Sequence, residues 1–324
     1  MRLLVTGGAG FIGSNFVRKS LDGTFHEISS VTVLDKFTYA GNSANLESVL
    51  DKKSLTLVKG DICDIALVQS LLNENDAVVN FAAESHVDRS IESSKEFVRT
   101  NVVGVQVLLD AIKLEGSSKR LLQVSTDEVY GSISFGSWKE DSSLLPNSPY
   151  SASKAGGELL ARSYFQTHSL DIVITRSSNN YGPFHFPEKL IPLFITNLIE
   201  GKKIPIYGNG MNVRDWLHVD DHCQGIYKVL IGGRSGQIYN IGGGTELNNL
   251  ELTHLILKMM RAEESSIEFV KDRKAHDFRY SLDWSKIKNE LEYQPVINIE
   301  EGIRSTIEWY LANTSWWKPL KKIS

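Results

Sequence analysis

A glycine-rich turn near the N-terminus constrains the fold of this chain more than any other feature. Gly7, Gly10 and Gly13 have the spacing GxxGxxG and stand between the apolar run Leu3–Thr6 and the helical pattern Phe11–Leu21. Glycines let the backbone turn sharply and approach a pyrophosphate, which then lies at the N-terminus of the following helix. The turn therefore predicts a strand–helix unit that binds a dinucleotide; the alternative is a tight turn without a ligand.

The end of the second apolar run indicates which dinucleotide is bound. Asp35 ends this run about 20 residues after Gly13, where a carboxylate accepts hydrogen bonds from the adenosine ribose hydroxyls. A carboxylate there repels a 2′-phosphate, and the next residues, Lys36, Phe37 and Thr38, provide no arginine to bind one. NAD is therefore predicted in preference to NADP.

Short β-branched runs alternate with helical patterns through the first half of the chain. The predicted strands are Leu3–Thr6, Val31–Leu34, Leu55–Val58, Ala77–Phe81, Leu121–Val124 and Ile172–Thr175. This alternation predicts an α/β fold with a Rossmann-type, doubly wound parallel sheet. We expect residues 1–180 to form this domain and to carry the catalytic residues.

Prolines interrupt the pattern in the second half, at Pro183, Pro187, Pro192 and Pro205. Residues 181–324 are expected to form a smaller C-terminal α/β lobe, from which about 215–245 return to the first domain. Strands are predicted at Ile204–Tyr207 and Gln237–Ile241, and helices at Val219–Ile231, Leu250–Met260, Trp284–Leu291 and Ile299–Ala312.

Composition and charge narrow the class of protein. The 324 residues carry a net charge of −4, which gives no electrostatic reason to expect nucleic acid or an acidic membrane as a partner. The N-terminus lacks the pattern of a signal peptide, and no run approaches the roughly 20 apolar residues of a membrane span. Cys63 and Cys223 form no metal or redox motif, so a cytoplasmic enzyme without a metal is expected.

Two adjacent carboxylates follow the fifth predicted strand. Asp127 and Glu128 come directly after Leu121–Val124 and the polar pair Ser125 and Thr126. Neighbouring residues within a strand point to opposite faces, but both acids can enter one pocket where the strand ends. Such a pair can divide its roles, one carboxyl acting as an acid and the other as a base.

Tyr150 and Lys154 form the pattern YxxxK, and Pro149 marks the start of their helix. Residues four apart lie on one helix face, so the ammonium is expected to stabilise the phenolate and to lower the tyrosine pKa from about 10. Tyr150 would then act as a base toward a hydroxyl while hydride leaves to nicotinamide. The alternative is a surface tyrosine beside a solvated lysine.

With these motifs the chain resembles the extended short-chain dehydrogenase/reductase family and, within it, the dTDP-glucose 4,6-dehydratases. The acid pair is the specific part, because the 4-epimerases of the family lack it. The residues that carry the resemblance are Gly7–Gly13, Ala82–Ser90, Ser125–Gly131, Ser148–Lys154, Asn179–Pro183, Pro187–Pro192, Val213–Trp216 and His276–Asp277.

The resemblance implies a hydro-lyase that oxidises C4 of a hexose, eliminates water across C5 and C6, and returns the hydride to C6. It implies that Glu128 removes the C5 proton, that Asp127 protonates the C6 hydroxyl, and that Thr126 binds near O4. The alternatives are a nucleotide-sugar 4-epimerase of the same fold and a non-catalytic protein that senses NAD.

The resemblance also implies the remaining binding residues. NAD is expected to contact Gly7, Gly10, Phe11, Ile12, Gly13, Asp35, Lys36, Phe37, Thr38, Asp61, Ile62, Phe81, Ala82, Ala83, Ser85, Thr100, Tyr150, Lys154 and Asn180. The nucleotide sugar is expected to contact Ser85, Thr126, Glu128, Asn179, Lys189, Leu190, Pro205, Ile206, Tyr207, Arg214, Asn249, Arg273 and His276, mainly in the C-terminal lobe. From its position alone, Asp61 either contacts adenine or caps the helix that begins near Asp64.

A homodimer is a further implication of the resemblance, since the family pairs its subunits through a four-helix bundle that includes the Tyr150 helix. The residues Phe97, Val102, Val105, Leu108 and Leu109 then form either a subunit contact or part of the monomer core. Trp309, Trp316 and Trp317 are expected to pack against the C-terminal lobe.

Overall fold

The computed structural model describes residues 1–116 and 119–322. Its strands, in chain order, are β1 Arg2–Thr6, β2 Ser30–Asp35, β3 Leu55–Lys59, β4 Ala77–Asn80, β5 Arg120–Thr126, β6 Ile172–Ser177, β7 Asn179–Tyr181, β8 Ile204–Tyr207, β9 Val213–His218, β10 Ile238–Ile241, β11 Glu246–Asn248 and β12 Ile267–Val270. Each strand predicted from the sequence is present, with ends that differ by at most two residues.

The helices are α1 Phe11–Leu21, α2 Ile65–Glu74, α3 Val87–Glu92, α4 Lys95–Val98, α5 Gly104–Leu114, α6 Pro149–His168, α7 Leu190–Ile199, α8 Val219–Gly232, α9 Asn249–Met260, α10 Ser285–Leu291, α11 Ile299–Ala312 and α12 Thr314–Leu320. A π-helical turn, Arg99–Val103, joins α4 to α5. Within the described ranges, none of these helices has the length and apolar character that crossing a bilayer requires.

Helix α7 contains a proline that does not interrupt it. The sequence predicts an interruption at Pro192, but this residue lies in the first turn of Leu190–Ile199. Backbone N–H groups in the first turn of a helix have no partner within the helix, so a proline there costs no hydrogen bond.

One parallel sheet organises the larger part of the molecule. Its seven strands have the order β10-β6-β5-β4-β1-β2-β3, and each neighbouring pair is parallel. Apart from β10, this is the Rossmann order 3-2-1-4-5-6. The predicted doubly wound α/β fold is therefore confirmed.

Apolar side chains cover both faces of this sheet. One buried cluster joins Phe16 and Val17 of α1 to Ile226 and Leu230 of α8. On the other face, residues of α2, α5 and α6 pack together, among them Leu72, Leu108 and Ala161. The carboxyl ends of β1, β2, β4, β5 and β6 meet at one edge, which is where open parallel sheets bind ligands.

A second core lies in the C-terminal half of the chain. Helices α7, α9, α11 and α12 contribute Phe194, Ile256, Ile307 and the fully buried Trp317. Two small sheets accompany them, with the orders β11-β9-β7 and β12-β8. Because β7 follows β6 directly, this second unit is held against the carboxyl edge of the large sheet.

The apolar face between α4 and α5 belongs mostly to the monomer core. Phe97, Val105, Leu108 and Leu109 are buried within the single chain, while Val102 is half-buried. Of the two alternatives that the sequence leaves open, the monomer core is therefore the one that applies to the four buried residues.

Candidate active site

A cavity of about 560 Å³ runs along the carboxyl edge of the sheet and beneath the second unit. The predicted residues on its walls are Gly7, Gly10, Phe11, Ile12, Gly13, Asp35, Lys36, Thr38, Asp61, Ile62, Phe81, Ala82, Ala83, Ser85, Thr100, Thr126, Asp127, Glu128, Tyr150, Lys154, Asn179, Asn180, Lys189, Leu190, Pro205, Ile206, Tyr207, Arg214, Asn249, Arg273 and His276. The structure thus brings together residues that are spread over most of the sequence.

The glycine turn has no room for side chains. Gly7 has a φ of +68°, and a Cβ on it would lie 2.6 Å from the backbone nitrogen of Ala82. A Cβ on Gly13 would lie 2.3 Å from the carbonyl oxygen of Gly7. Helix α1 begins after Gly10 without a side-chain cap, so its first N–H groups face the cavity end of the turn. Such a cradle fits the pyrophosphate of a dinucleotide.

Asp35 is fixed at the end of β2 by two backbone groups. Its carboxylate accepts hydrogen bonds from the N–H of Ala9 at 2.9 Å and from that of Phe37 at 2.8 Å. Burial raises the pKa of Asp35, and the two hydrogen bonds oppose this rise. A carboxylate has about four acceptor positions, so two remain for ribose hydroxyls.

Phe37 is a predicted cofactor residue whose side chain lies elsewhere. It packs against the core cluster of α1 and α8 and is absent from the cavity wall. Its φ of +52° turns the chain just after Asp35. The contribution of Phe37 to this end of the cavity is therefore its backbone N–H, which holds the Asp35 carboxylate.

Asp61 does not cap helix α2, because Asp64 does so by accepting from the N–H of Leu67. Instead, the Asp61 carboxylate forms ion pairs with Lys36 at 2.9 Å and with Arg99 at 3.0 Å. Asp61 also lines the cavity beside Asp35. The capping alternative is wrong for Asp61, and the contact with adenine remains a prediction.

The acid pair lies just beyond the end of β5, in the short 3₁₀ turn Asp127–Tyr130. The Thr126 hydroxyl donates to Asp127 Oδ1 at 3.2 Å and accepts from the N–H of Glu128 at 3.3 Å. In a continuing strand, the two neighbouring acids would point to opposite faces of the sheet. Because β5 ends at Thr126 and the turn begins there, both acids line the cavity instead.

The two carboxyls are electrostatically different. Asp127 is buried, and its Oδ2 atom has no hydrogen-bond partner among the described residues. Burial raises the pKa of Asp127 well above its usual value, and the Glu128 carboxylate raises it further. Burial also raises the pKa of Glu128, but Arg273, Arg214 and Lys189 oppose that rise. The pair therefore favours a protonated Asp127 beside an ionised Glu128.

Helix α6 presents Tyr150 and Lys154 to the same cavity. Ser148 caps the helix and exchanges hydrogen bonds with Ser151, and Pro149 occupies the first turn. The N–H of Tyr150 donates to Ser90 Oγ at 3.1 Å, which anchors the helix start to α3.

The tyrosine pKa differs from the expectation. Burial raises the pKa of Tyr150, and the carboxylates of Glu128 and Asp127 raise it further, whereas the Thr126 hydroxyl lowers it. The Lys154 ammonium, which donates to the carbonyl oxygen of Val124 at 2.7 Å, does not offset this rise. Burial lowers the pKa of Lys154 itself to about 8. The predicted depression of the tyrosine pKa is therefore wrong for the protein alone.

Three cations lie near Glu128, namely Lys189, Arg214 and Arg273. Lys189 donates to the carbonyl oxygen of Ser85 at 2.9 Å, and Arg214 donates to that of Asp277 at 3.0 Å. The buried Nε of Arg273 has no partner in the part of the chain that the structure describes. Such donors are suited to a diphosphate.

Some residues of the cavity wall were not assigned from the sequence. Tyr280 lies near the acids and donates its hydroxyl to Asp277 Oδ2 at 2.5 Å. His185 stacks on Phe11, with ring centroids 4.1 Å apart. Trp316 packs on the C-terminal lobe, as expected, but also lines the cavity and donates to Asn45 Oδ1 at 2.9 Å. No local sequence pattern marks Tyr280 or Trp316, because long stretches of chain separate them from the other site residues.

Comparison with known proteins agrees with this geometry. The family model described as GDP-mannose 4,6 dehydratase matches residues 4–306. A dTDP-glucose 4,6-dehydratase of Streptomyces niveus is 55% identical over 99% of this chain and 96% of its own length. Another, from an Actinoplanes species, is 55% identical over 98% of this chain and 100% of its own length.

A solved structure is also similar. It is the dTDP-glucose 4,6-dehydratase of Streptomyces venezuelae, crystallised with NAD bound. Its TM-score is 0.97 at 56% identity, and the match covers 99% of this chain and 100% of the other. These likenesses favour the dehydratase prediction over the 4-epimerase alternative. The chain belongs to the family of the dTDP-glucose 4,6-dehydratases.

Proposed function

We propose that this protein uses NAD to convert dTDP-glucose to dTDP-4-keto-6-deoxyglucose in deoxysugar biosynthesis. The observation that carries the proposal is the acid pair, buried Asp127 and half-buried Glu128, in one cavity with Tyr150 and Lys154. The dehydratases at 55% and 56% identity support the same substrate and cofactor.

The glycine turn, Asp35 and the ends of β3 and β4 are the parts that hold the cofactor. The turn has space for backbone but none for a Cβ at Gly7 or Gly13, which is what close approach to a pyrophosphate needs. When bound, NAD accepts the hydride from C4 and returns it to C6. The protein residues supply the proton transfers and the orientation of the sugar.

Oxidation at C4 needs a base for the hydroxyl proton. Tyr150 takes this proton, and the Thr126 hydroxyl lies on the proton path and lowers the pKa of Tyr150. Lys154 is held four residues along the same helix, where its ammonium adds positive charge to the site. Burial keeps water away from this transfer.

Elimination needs a base at C5 and an acid at C6, since the 4-keto group acidifies the C5 hydrogen and hydroxide is a poor leaving group. Glu128 acts as the base, because Arg273, Arg214 and Lys189 favour its ionised form. Asp127 acts as the acid, because burial and the Glu128 carboxylate favour its protonated form. The Oδ2 atom of Asp127, which has no partner among the described residues, is then available to donate to the leaving hydroxyl.

The C-terminal lobe binds the nucleotide end of the substrate. Lys189, Arg214 and Arg273 provide charge for the diphosphate, and Asn179 and Asn249 each offer a buried side-chain oxygen without a partner in the described ranges. Leu190, Pro205, Ile206 and Tyr207 provide an apolar wall for the deoxyribose and thymine.

We also propose a division of labour between residues 1–180 and 181–324. The first part holds NAD and the catalytic groups, and the second holds the nucleotide sugar. Helix α8 and strand β10, within about residues 215–245, pack on or pair with the large sheet and so belong with the first part.

The test is incubation of purified protein with dTDP-glucose in deuterated water, followed by mass analysis of the product. Loss of one water with gain of one deuterium at C5 is expected. Isomerised hexose without loss of water would instead indicate an epimerase. An unchanged substrate would contradict the proposed specificity and direct the search to other nucleotide sugars.

A variant assigns the base. Glu128→Gln should oxidise C4 yet fail to remove the C5 proton, so that no deuterium enters C5. The matched control is Glu308→Gln, which changes an exposed glutamate on α11 and should dehydrate normally. Normal dehydration by Glu128→Gln would contradict the assignment of the base.

We further propose a homodimer built on α6 and the α4–α5 segment. Val98, Val103 and Leu159 of these elements are 47%, 40% and 52% exposed, which leaves an apolar surface for a second copy. Leu159→Glu should shift the sedimentation of the protein toward the monomer. Leu311→Glu is the control, because Leu311 is 53% exposed on the distant helix α11. A monomeric native protein would contradict the proposal.

A cytoplasmic location is the last part of this proposal. Cys63 and Cys223 are both unpaired, the first half-buried and the second buried. Free thiols of this kind are typical of proteins in a reducing compartment. Cell fractionation with antibody detection would test it, and recovery outside the cytoplasm would contradict it.

A further inference from the structure

Behind the acid pair, on the side away from the cavity, lies a group of polar side chains that the proposed chemistry does not use. Tyr130 ends the turn that begins with Asp127, and it is fully buried. Its hydroxyl donates to Asn240 Oδ1 of β10 at 2.9 Å and accepts from Arg176 Nη1 of β6 at 2.5 Å. The guanidinium also lies over the tyrosine ring, 4.5 Å from its centroid.

The same arginine contacts the catalytic helix. Arg176 Nε donates to both carboxylate oxygens of Glu158, at 3.0 and 3.2 Å, and its Nη2 group forms a second hydrogen bond to Oε1. Glu158 lies on α6, one turn after Lys154 and two turns after Tyr150. Arg176 and Glu158 are only 3% and 2% exposed.

We name Tyr130, Glu158, Arg176 and Asn240 the positioning network. None of its members is on the cavity wall, so none contacts substrate or cofactor there. It connects the two elements that carry chemistry. Tyr130 follows the acids by two residues, and Glu158 shares a helix with Tyr150 and Lys154.

Burying a guanidinium and a carboxylate costs free energy of desolvation, which excellent geometry and further hydrogen bonds must offset. Arg176 has those further bonds, since its Nη1 group also donates to the carbonyl oxygen of Glu140 at 3.1 Å. A fully paired polar network of this kind fixes one arrangement of the elements it joins, whereas apolar contacts alone permit sliding.

We propose that the positioning network holds Asp127 and Glu128 in register with Tyr150 and Lys154, so that the base at C5 and the acid at C6 are correctly placed for the sugar whose C4 hydroxyl Tyr150 deprotonates. The proposal rests on the roles given to these residues above. Tyr130, Arg176 and Glu158 are positioning residues, because they act through the groups that they hold. A misplacement of about 1 Å can cost a factor of about 100 in rate.

The charge of Glu158 has a second effect that agrees with this role. Its carboxylate raises the pKa of Lys154, against the burial that lowers it to about 8. Neutralising Glu158 would therefore weaken the ammonium form of Lys154 as well as the geometry. For that reason Tyr130, which is attached to the acid turn and carries no charge, is the better residue to change.

The test uses Tyr130→Phe in the full-length protein with NAD and dTDP-glucose. Two single-turnover rates are measured, namely C4 oxidation from the absorbance of reduced nicotinamide and loss of water from the product mass. Elimination is expected to slow on the order of tenfold or more, while C4 oxidation and the KM for dTDP-glucose change less than about twofold. A purely structural role would lower the melting temperature and leave the ratio of the two rates unchanged.

Tyr239→Phe is the matched control. Tyr239 is equally buried, but its hydroxyl donates to Glu290 Oε2 at 2.9 Å rather than to a member of the positioning network. It should lower the melting temperature similarly and leave both rates at the native values. Equal slowing of elimination in both variants, or native elimination in Tyr130→Phe, would overturn the proposal.

If Tyr130→Phe does not fold, Arg176→Lys provides the same readout, because lysine keeps a charge facing Glu158 but loses the fork that reaches Tyr130. Slowed elimination with native C4 oxidation is again the supporting result. A native protein that never releases water would overturn the proposed function and this role together. A native dehydratase with unaffected variants would overturn the network alone.

Discussion

At the nucleotide end of the cavity the wall is mostly backbone, whereas at the chemical end it is mostly side chains. Around the glycine turn, Asp35 is bound by two N–H groups, and Asn45 donates to the carbonyl oxygen of Ala9 at 2.9 Å. Around the acids, the buried atoms Asp127 Oδ2 and Arg273 Nε have no partner within the described ranges.

The two ends therefore differ in how their polar groups affect the stability of the protein. A buried polar group without a partner costs about 1–3 kcal/mol, so it persists where a ligand or a reaction uses it. The nucleotide end is shaped for close approach, and backbone N–H groups hold its Asp35 carboxylate in place. The chemical end holds buried polar groups without partners among the described residues. We therefore expect substitutions there to lower activity while raising stability, and substitutions at the glycine turn to lower stability.

The largest expected effect belongs to Asp127→Asn at the chemical end. Asparagine keeps the shape but cannot donate a proton to the C6 hydroxyl, so dehydration should slow by about 10²–10⁴. Burial raises the pKa of Asp127. The folded protein therefore loses stability as pH rises from the pKa of this carboxyl in the unfolded chain toward its higher pKa in the folded protein. The variant should therefore be more stable than the native protein at neutral pH.

Rate of water loss and thermal unfolding at neutral pH are the two measurements for this variant. Asp110→Asn is its control, since Asp110 accepts from the Tyr164 hydroxyl at 2.6 Å outside the cavity. The control should dehydrate normally. Native activity together with reduced stability in Asp127→Asn would contradict the view that the chemical end gives up stability for its reaction.

Lys154→Met tests the buried ammonium at the chemical end. The pKa of Lys154 falls from 10.5 to about 8 on folding, which corresponds to about 3 kcal/mol. The unfolded chain binds this proton more tightly, so the cost is fully present below pH 8 and disappears as pH rises to 10.5. The native protein should therefore gain stability relative to Lys154→Met across this range.

Chemical unfolding of both proteins at several pH values measures this difference. Loss of the hydrogen bond to Val124 shifts the variant by a constant amount, so the slope with pH is the decisive quantity. A difference that is flat between pH 8 and 10.5 would show that Lys154 is not destabilised by burial.

The two ends also differ in how much of their structure could be predicted from the sequence. The glycine turn, Asp35 and the acid pair could be predicted because each lies within a short segment whose conformation its own residues dictate. The direction of the Tyr150 pKa could not, since it depends on burial and on the Glu128 and Asp127 carboxylates that the fold brings near the phenol. Pro192 misled because its effect depends on its place in the helix.

Gly13→Ala and Gly10→Ala separate two uses of glycine at the nucleotide end. A Cβ on Gly13 would lie 2.3 Å from the Gly7 carbonyl oxygen, so the turn must shift, at a cost of about 1–3 kcal/mol in stability and with loss of NAD affinity. A Cβ on Gly10 would lie 3.4 Å from the same oxygen, an ordinary contact.

Gly10→Ala should therefore fold with nearly native stability but bind NAD weakly, because its methyl group occupies the space that the pyrophosphate needs. Calorimetric unfolding and NAD titration of both variants measure the two effects separately. Equal stability losses in both variants would show that the turn tolerates no side chain at either position for reasons of packing alone.

The smallest expected effect is at the far side of the nucleotide end, where helix α12 reaches the glycine turn. The indole N–H of Trp316 donates to Asn45 Oδ1 at 2.9 Å, and Asn45 in turn donates to the Ala9 carbonyl oxygen. Trp316→Phe removes this hydrogen bond, worth about 1 kcal/mol, so NAD should dissociate roughly fivefold faster. Trp309→Phe is the control, because the Trp309 ring centroid lies 5.0 Å from that of Trp316 but Trp309 does not line the cavity. Native NAD release in Trp316→Phe would show that the backbone of the turn retains the cofactor without help from the C-terminal helix.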